Sequence, residues 1–396
     1  MDAVIVSAAR SPIGRAYKGS LAGVRADDLA AQIVGKALAK VPGLDPATLD
    51  DLILGCAQPA GEQGYNLGRQ VAMHLGLDMV PGTTVNRYCA SSLQAIRMAF
   101  HAIKAGEGHA FVAAGAEVVS HYPAGKADGM PDTRNPRWPE RTSTLPWTDP
   151  RESGGLPDVY IAMGETAENV ASLCGITRRE QDEFGVRSQN NAEKAQADGF
   201  WELDITPVTL PDGTELARDD GPRAGVTLEK VSTLQPVFRP DGTVTAGNCC
   251  PLNDGAAAVI VMSASRAREL GLTPLARIVA TGVSALSPEI MGLGPVEASR
   301  RALHNAGMSI SDIDLIEINE AFAAQVIPSY RQLGADPDKV NVHGGAIAVG
   351  HPFGMTGARM ATTLLNGLSF RDRGIGLETM CTAGGQGMAL ILERLS

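Results

Sequence analysis

The stretch GLDPATLDDLILG at residues 43–55 returns in altered letters as GMSISDIDLIEIN at residues 307–319, at a constant offset of 264 residues. Leu49 pairs with Ile313, Asp50 with Asp314, Leu52 with Ile316 and Leu54 with Ile318. Each copy follows a helical pattern ending in Ala-Leu (Ala37-Leu38, Ala302-Leu303) and runs into alternating apolar positions, the period of a strand. The echo is short, and unrelated α/β segments can share such a pattern. Two related halves account for it more fully, each a sheet with helices packed on it.

Outward from the first copy, TTVNRYCASSLQAIRMAF (83–100) changes character at Cys89. A β-branched run gives way to turn formers, and then Leu93, Ile96, Phe100 and Ile103 mark an apolar helical stripe. Cys89 is expected at the first turn of that helix, where the macrodipole and free N–H groups favour thiolate over thiol. A small buried cysteine at a helix start is the plainer alternative. Near the second copy, GGAIAVGHPFGMTGAR (344–359) holds His351 between glycine and proline, ahead of a helix beginning near Gly357. Imidazole takes a thiol proton at neutral pH, although a histidine in a glycine-rich turn also serves structure. MCTAGGQGMALILERL (380–395) places Cys381 at a strand end before a turn, and INEAFAAQ (318–325) sets Asn319 and Glu320 between apolar segments. Buried polar groups there need partners, whether for structure or chemistry.

Between the halves the pattern breaks. Residues 120–160 are rich in Pro and Gly, which suit neither helix interiors nor central strands. A helix pair is expected at 164–198, and an apolar strand at 257–262 returns the chain to the first half. The reading is three units: 1–119 with 251–273, an inserted loop domain at 120–250 laid over the first half, and 274–396. An insertion of this length is expected to be functional.

Composition bounds the rest. The 396 residues are 44% hydrophobic, with 34 basic and 44 acidic side chains and a net charge of −10. No basic tract points to nucleic acid, and no apolar run is long enough to span a bilayer. The start, MDAVIVSAARSPIG, reads as a strand and turn, not a signal peptide. Cys56, Cys89, Cys174, Cys249, Cys250 and Cys381 contain no C-x-x-C spacing, so neither a disulfide scaffold nor a metal site is expected. Reduced thiols in a cytoplasmic protein are the expectation.

Taken together the motifs resemble one family. N-R-x-C-x-S-S around Cys89, N-E-A-F-A from Asn319, G-H-P-x-G-x-[ST]-G around His351 and C-x-x-G-G-x-G from Cys381 occur in thiolase order and spacing. VTAGNCCPLNDGAAA (244–258) resembles the family's pantetheine loop, and MGETAENVA (163–171) its acyl-pocket segment. The resemblance spans essentially the whole chain. It implies a five-layer αβαβα fold of duplicated halves, and a transferase acting on acyl-CoA with no permanent cofactor, coenzyme A being a substrate. Cys89 is implied as the nucleophile, His351 as acceptor of its proton, and Cys381 as acid/base at C2 of acetyl-CoA. One oxyanion hole would use His351 with a water held by Asn319, the other the backbone N–H groups of Cys89 and Ala383. Arg223 is implied at the nucleotide end of CoA. Phe238, Ala246, Leu252 and Met291 are implied along the pantetheine and acyl channel, with Met163, Ala321 and Phe322 also in the substrate site. Cys250 replaces a serine that bonds a pantetheine amide in many relatives, and a thiol donates more weakly.

Ala383 in place of glycine, and Ala162 in place of a histidine, resemble degradative 3-ketoacyl-CoA thiolases of β-oxidation more than acetoacetyl-CoA-forming acetyltransferases. A homodimer or homotetramer, with a β-oxidation complex as a further partner, is implied. The rival readings are a β-ketoacyl synthase, a non-catalytic lipid carrier, and a redox protein using Cys249-Cys250. The N-E-A-F-A and C-x-x-G-G segments argue against the first. The apparent completeness of the Cys-His-Cys-Asn set argues against the second, and the strain of a vicinal disulfide against the third.

Overall fold

The computed structural model describes residues 1–124, 135–138 and 146–396. The first half runs β1 (Ala3–Arg10), β2 (Gly14–Arg15), α1 (Ala26–Ala39), β3 (Asp51–Gly55), α2 (Leu67–His74), β4 (Gly82–Val85), α3 (Ser91–Ala105) and β5 (Ala110–Val118). The inserted segment carries α4 (Met163–Cys174), α5 (Arg178–Ala197), α6 (Phe200–Asp204), the small hairpin β6 (Val208–Thr209) and β7 (Glu215–Leu216), and α7 (Leu228–Val231). β8 (Asn253–Ser263) and α8 (Ala264–Glu269) follow. The second half contains β9 (Ala276–Ala285), α9 (Gly294–Ala306), β10 (Leu315–Ile318), α10 (Ala323–Leu333), α11 (Ala346–Val349), α12 (Thr356–Phe370), β11 (Ile375–Thr382) and β12 (Gln386–Arg394). The two helices expected at 164–198 are α4 and α5. No helix among the described residues is long and apolar enough to cross a membrane.

The strands form β4-β3-β5-β8-β1 and β10-β11-β12-β9, joined by a short β1-β9 pairing, Val4 opposite Arg277 and Ile5 opposite Ala276. The two sets repeat one pattern. β3 is parallel to β5 as β10 is to β11, and the next two pairings in each set are antiparallel. A parallel bridge from Ile316 to Val340 stands where β4 pairs with β3. The echoed aspartates do the same job in both halves. Asp50 Oδ2 accepts from the N–H groups of His109 (2.7 Å) and Ala110 (2.9 Å). Asp314 Oδ2 accepts from those of Gly374 (3.0 Å) and Ile375 (2.9 Å). Each carboxylate thus satisfies the free amides where the neighbouring strand begins.

Alternation sorts the sheet residues into layers. Ile260 and Met262 join Leu29, Ile33 and Val71 of α1 and α2 in an outer core. Val259 and Val261 instead face the central layer with Leu93, Ile96 and Phe100 of α3 and Met360, Leu364 and Leu368 of α12. Met380, Met388 and Leu390 close that layer from the second sheet. Ile316, Leu377 and Ile391 pack outward with Val296, Leu303 and Ile327 of α9 and α10. This is the five-layer arrangement. α4 and α5 lie on α10 and α11 of the second half, not over the first half as expected. The later part of the insertion reaches β1, where buried Arg10 pairs with Asp204 and Asp219.

The central helices touch without spacing. A Cβ at Gly357 would lie 2.4 Å from Leu93 N and 2.5 Å from Leu93 Cβ. At the next residue, Ala358 N–H donates to Ser92 Oγ at 2.9 Å. Gly357→Ala is expected to cost about 1–3 kcal/mol by overpacking and to lower activity with it. Thermal unfolding and a CoA-thioester assay check this; an unchanged midpoint would show that the crossing has room.

Candidate active site

The central helices begin side by side, and the residues just before them make the site. Cys89 sits in a 3₁₀ turn, Tyr88–Ala90, one residue outside the N-cap of α3 and not in its first turn. Polar side chains tie the turn: Asn86 Oδ1 accepts from Tyr88 N–H at 2.7 Å, and Ser91 Oγ donates to Tyr88 O at 2.6 Å. Tyr88 is held at φ +47°, a conformation that costs a side-chain-bearing residue about 1–3 kcal/mol. Arg87 bonds Gln94 Oε1 (2.9 Å) and, across the layers, Gln386 Oε1 (2.7 Å) on β12.

Three further segments converge. β11 ends just past Cys381, and the following turn holds Gly384 and Gly385 at positive φ. That turn presents the Ala383 N–H to the Cys89 sulfur. His351 precedes α12; its N–H donates to Asn253 Oδ1 at 3.0 Å, and its Nδ1 lies 2.6 Å from Thr356 Oγ1. That hydroxyl donates to Pro352 O at 2.6 Å, so it accepts from Nδ1–H and the ring's lone pair lies on Nε2. Asn319 Nδ2 reaches Nε2 at 3.2 Å, while its Oδ1 is buried without a partner among the described residues. Glu320 is a strut: its carboxylate accepts from Ser188 Oγ (2.6 Å), Asn341 Nδ2 (2.8 Å) and Ile347 N–H (3.1 Å). Residues 248–250 pair with the same segment through Cys250 N–H to Ala321 O at 3.0 Å and Ala323 N–H to Asn248 O at 2.9 Å. This brings Cys250 within electrostatic reach of Cys89 and Cys381.

Burial governs the charge states. It pushes the Cys89 thiol up to about 12 against the Ala383 and Cys89 N–H groups, with the Glu117 charge adding to the rise. The helix end therefore does not make a resting thiolate, contrary to expectation. Burial also raises the Cys381 thiol, helped by Cys89. His351 is lowered to about 3 by burial and then by the charge of Arg359. The resting site holds two thiols and a neutral imidazole.

A cavity of about 190 Å³ opens on Cys89, lined by Ala57, Gln58, Tyr88, Tyr122, Met163, Phe353 and Ala383. His351, Asn319 and Cys381 are buried and form none of its wall; Phe353, edge-on to His351 at 5.1 Å, does. Arg223 and Ala246 line a separate cleft with Arg15, Val231 and Ile347. Phe238 covers Gly164 of α4 and meets Phe322 edge-on at 6.1 Å. Met291 and Ala321 are core residues and Leu252 is exposed. None of Phe238, Cys250, Leu252, Met291, Ala321 and Phe322 lines either cavity. Sequence reasoning passed over Tyr88, Phe353 and Thr356, all inside the quoted motifs, and Arg15, in β2. Tyr122 and Glu117 carried no signal.

The thiolase N-terminal domain profile matches residues 3–265 and the C-terminal one residues 272–394. The chain belongs to the thiolase family. Acetyl-CoA acetyltransferase of Cupriavidus necator is 46% identical over 99% of both chains. A 3-ketoacyl-CoA thiolase of Bacillus subtilis is 44% identical over 99% of both, and a beta-ketoadipyl-CoA thiolase of Escherichia coli 45% over 100% of both. The crystal structure of Bacillus anthracis acetyl-CoA acetyltransferase superposes with a TM-score of 0.87 at 40% identity, covering 100% of this thiolase and 99% of that chain. This thiolase is an acyltransferase, with coenzyme A as substrate and not as a resident group.

An unfolded imidazole protonates near pH 6.5, whereas His351 in the fold does so only near pH 3, so acid favours unfolding across that interval. His351→Asn removes the penalty. Between about pH 6 and pH 4 the variant should gain on the parent by up to about 1.4 kcal/mol per pH unit. Denaturation midpoints that stay parallel would mean that His351 ionises freely in the fold.

Proposed function

We propose that this thiolase cleaves apolar 3-ketoacyl-CoA with coenzyme A to acetyl-CoA and a shortened acyl-CoA, reversibly, in fatty-acid β-oxidation. The supporting observation is one sulfur, Cys89, at the mouth of a cavity walled by Tyr88, Tyr122, Met163 and Phe353 and facing the Ala383 N–H. Aromatic and thioether surface suits an aliphatic chain. Formation of acetoacetyl-CoA is the alternative, since a relative named for acetyl-CoA acetyltransferase is as similar as those named for ketoacyl substrates.

In the proposed mechanism Cys89 sulfur bonds to C3 of the substrate as its proton passes to His351 Nε2. Burial keeps both groups neutral beforehand, so charge develops on the carbonyl oxygen, where the Cys89 and Ala383 N–H groups meet it. The C2–C3 bond breaks, its electron pair takes a proton from Cys381 at C2, and acetyl-CoA leaves. His351 and Asn319 stabilise the enolate oxygen of that product. The incoming CoA thiol gives its proton to the Cys381 thiolate and attacks the acyl-enzyme. Cys89 leaves and recovers its proton from His351. Arg223, with Arg15 beside it, holds the nucleotide end of CoA near Ala246. Exposed Phe238 and Leu252 are assigned to the approach to the site, while Met291, Ala321 and Phe322 pack in the core with Cys250 against it and are not assigned contact with substrate.

We also propose the three units drawn from the sequence, 1–119 with 251–273, 120–250 and 274–396, and a cytoplasmic homodimer or homotetramer. β4, which pairs only with β3 among the described residues, supports a subunit contact along that edge. Part of the 120–150 segment that bears on tetramer formation lies outside the described residues.

Cys89→Ser should abolish the acyl-enzyme mass shift seen with 3-ketoacyl-CoA. Cys381→Ala should keep that shift and lose deuterium exchange at C2 of acetyl-CoA; loss of both would reverse the assigned roles. A panel of chain lengths should favour medium or long acyl groups over acetoacetyl-CoA and β-ketoadipyl-CoA, and the opposite ranking would overturn the substrate reading.

A further inference from the structure

Behind the cavity stands a buried carboxylate that the mechanism does not use. Glu117, near the end of β5, has no solvent exposure. Its Oε2 accepts from Ala57 N–H at 2.7 Å and Gly354 N–H at 2.8 Å. Its Oε1 accepts from Tyr122 Oη at 2.7 Å, Gln63 Nε2 at 3.0 Å and Gln58 N–H at 3.2 Å, with Cys56 Sγ at 3.7 Å. A carboxylate offers about four lone-pair positions, so these donors fill it and leave no room for a proton of its own. Burial pushes its carboxyl up, while the Tyr122 hydroxyl and the amides of Ala57, Gly354 and Gln58 pull it down.

The donors are not scattered. Ala57, Gln58 and Tyr122 line the Cys89 cavity themselves, and Gly354 follows Phe353, the wall residue that stands against His351. A Cβ at Gly354 would lie 2.8 Å from Glu117 Oε2 and 2.8 Å from Cys56 Cα, so the loop closes directly on the carboxylate. Three chain segments distant in sequence therefore share one anchor. The other buried acid near the site, Glu320, binds Ser188, Asn341 and Ile347, none of which lines the cavity.

Resting on the thiolase reading above, we propose that Glu117 is a positioning residue for acyl transfer: its carboxylate sets the wall against which the acyl chain lies beside Cys89. Glutamine in its place would turn an NH₂ toward donors and release part of that wall. It would also remove the one full charge acting on Cys89 among the described residues. Among the described residues, Cys381 on β11, Cys250 in the segment before β8, Tyr122 and His351 stand around Cys89 and are neutral in the resting site, and the Tyr88 phenol lines the same cavity.

The test compares Glu117→Gln with the parent as the full chain. In steady-state thiolysis, kcat should fall at least roughly tenfold and KM for 3-ketoacyl-CoA should rise, while KM for CoA holds within about twofold. Iodoacetamide should still alkylate Cys89, with its rate profile displaced to lower pH. Unchanged kinetics would overturn the proposal. So would losses in kcat and both KM values that track the unfolded fraction, or an unshifted alkylation profile. Should Glu117→Gln not fold, Tyr122→Phe removes one donor from the anchor; a rise in KM for 3-ketoacyl-CoA alone supports the proposal and no change overturns it. Alkylation at Cys89 together with a surviving acyl-enzyme in Cys89→Ser would instead sink the nucleophile assignment, a separable failure.

Discussion

The amino ends of α3 and α12 meet at Gly357 and Leu93 with no side chain between them, and the site is built on that contact. Cys89 and His351 are far apart in the chain, and each precedes one of these two helices. Where the helices touch sets how closely the thiol and imidazole approach. The sheets on either side give the helices no freedom to separate, because both helices are buried by the same central core. The bond from Ala358 N–H to Ser92 Oγ fixes their relative rotation as well.

The same dryness that makes the packing firm decides the chemistry. A thiol and an imidazole near a helix end in water would share a proton readily, but here both are held neutral by desolvation. In the proposed mechanism, stabilisation is directed at charge that appears on substrate oxygen, through backbone N–H groups, and not at a standing thiolate. The hydrogen-bond chain from Asn319 through His351 and Thr356 to Pro352 O selects the tautomer with a lone pair on Nε2. Preorganisation of this kind needs anchored loops, and buried carboxylates filled by donors provide the anchors. Glu320 holds the insertion to the second half and Glu117 holds the cavity wall.

Much of this was legible in the chain. The echo around Asp50 and Asp314 named the two halves because both aspartates close a strand start in the same way. The apolar stripe of Leu93, Ile96, Phe100 and Ile103 marked α3 correctly, although the helix begins after Cys89 and not before it. The charge state of Cys89 was not legible. A helix dipole is a property of local sequence, whereas desolvation depends on what other segments cover the sulfur. Tyr122 and Glu117 were equally silent, since a glutamate within an apolar strand and a tyrosine after it say nothing about what they will touch.

By itself the sequence determined the family and the two-fold repeat of strand and helix, and it nominated the side chains proposed for the chemistry, because periodicity and short motifs are local. Only the tertiary structure decided which of them opens on a cavity, which tautomer His351 adopts and which acid holds the wall. Those properties come from contacts between residues hundreds of positions apart, and from the water that such contacts exclude.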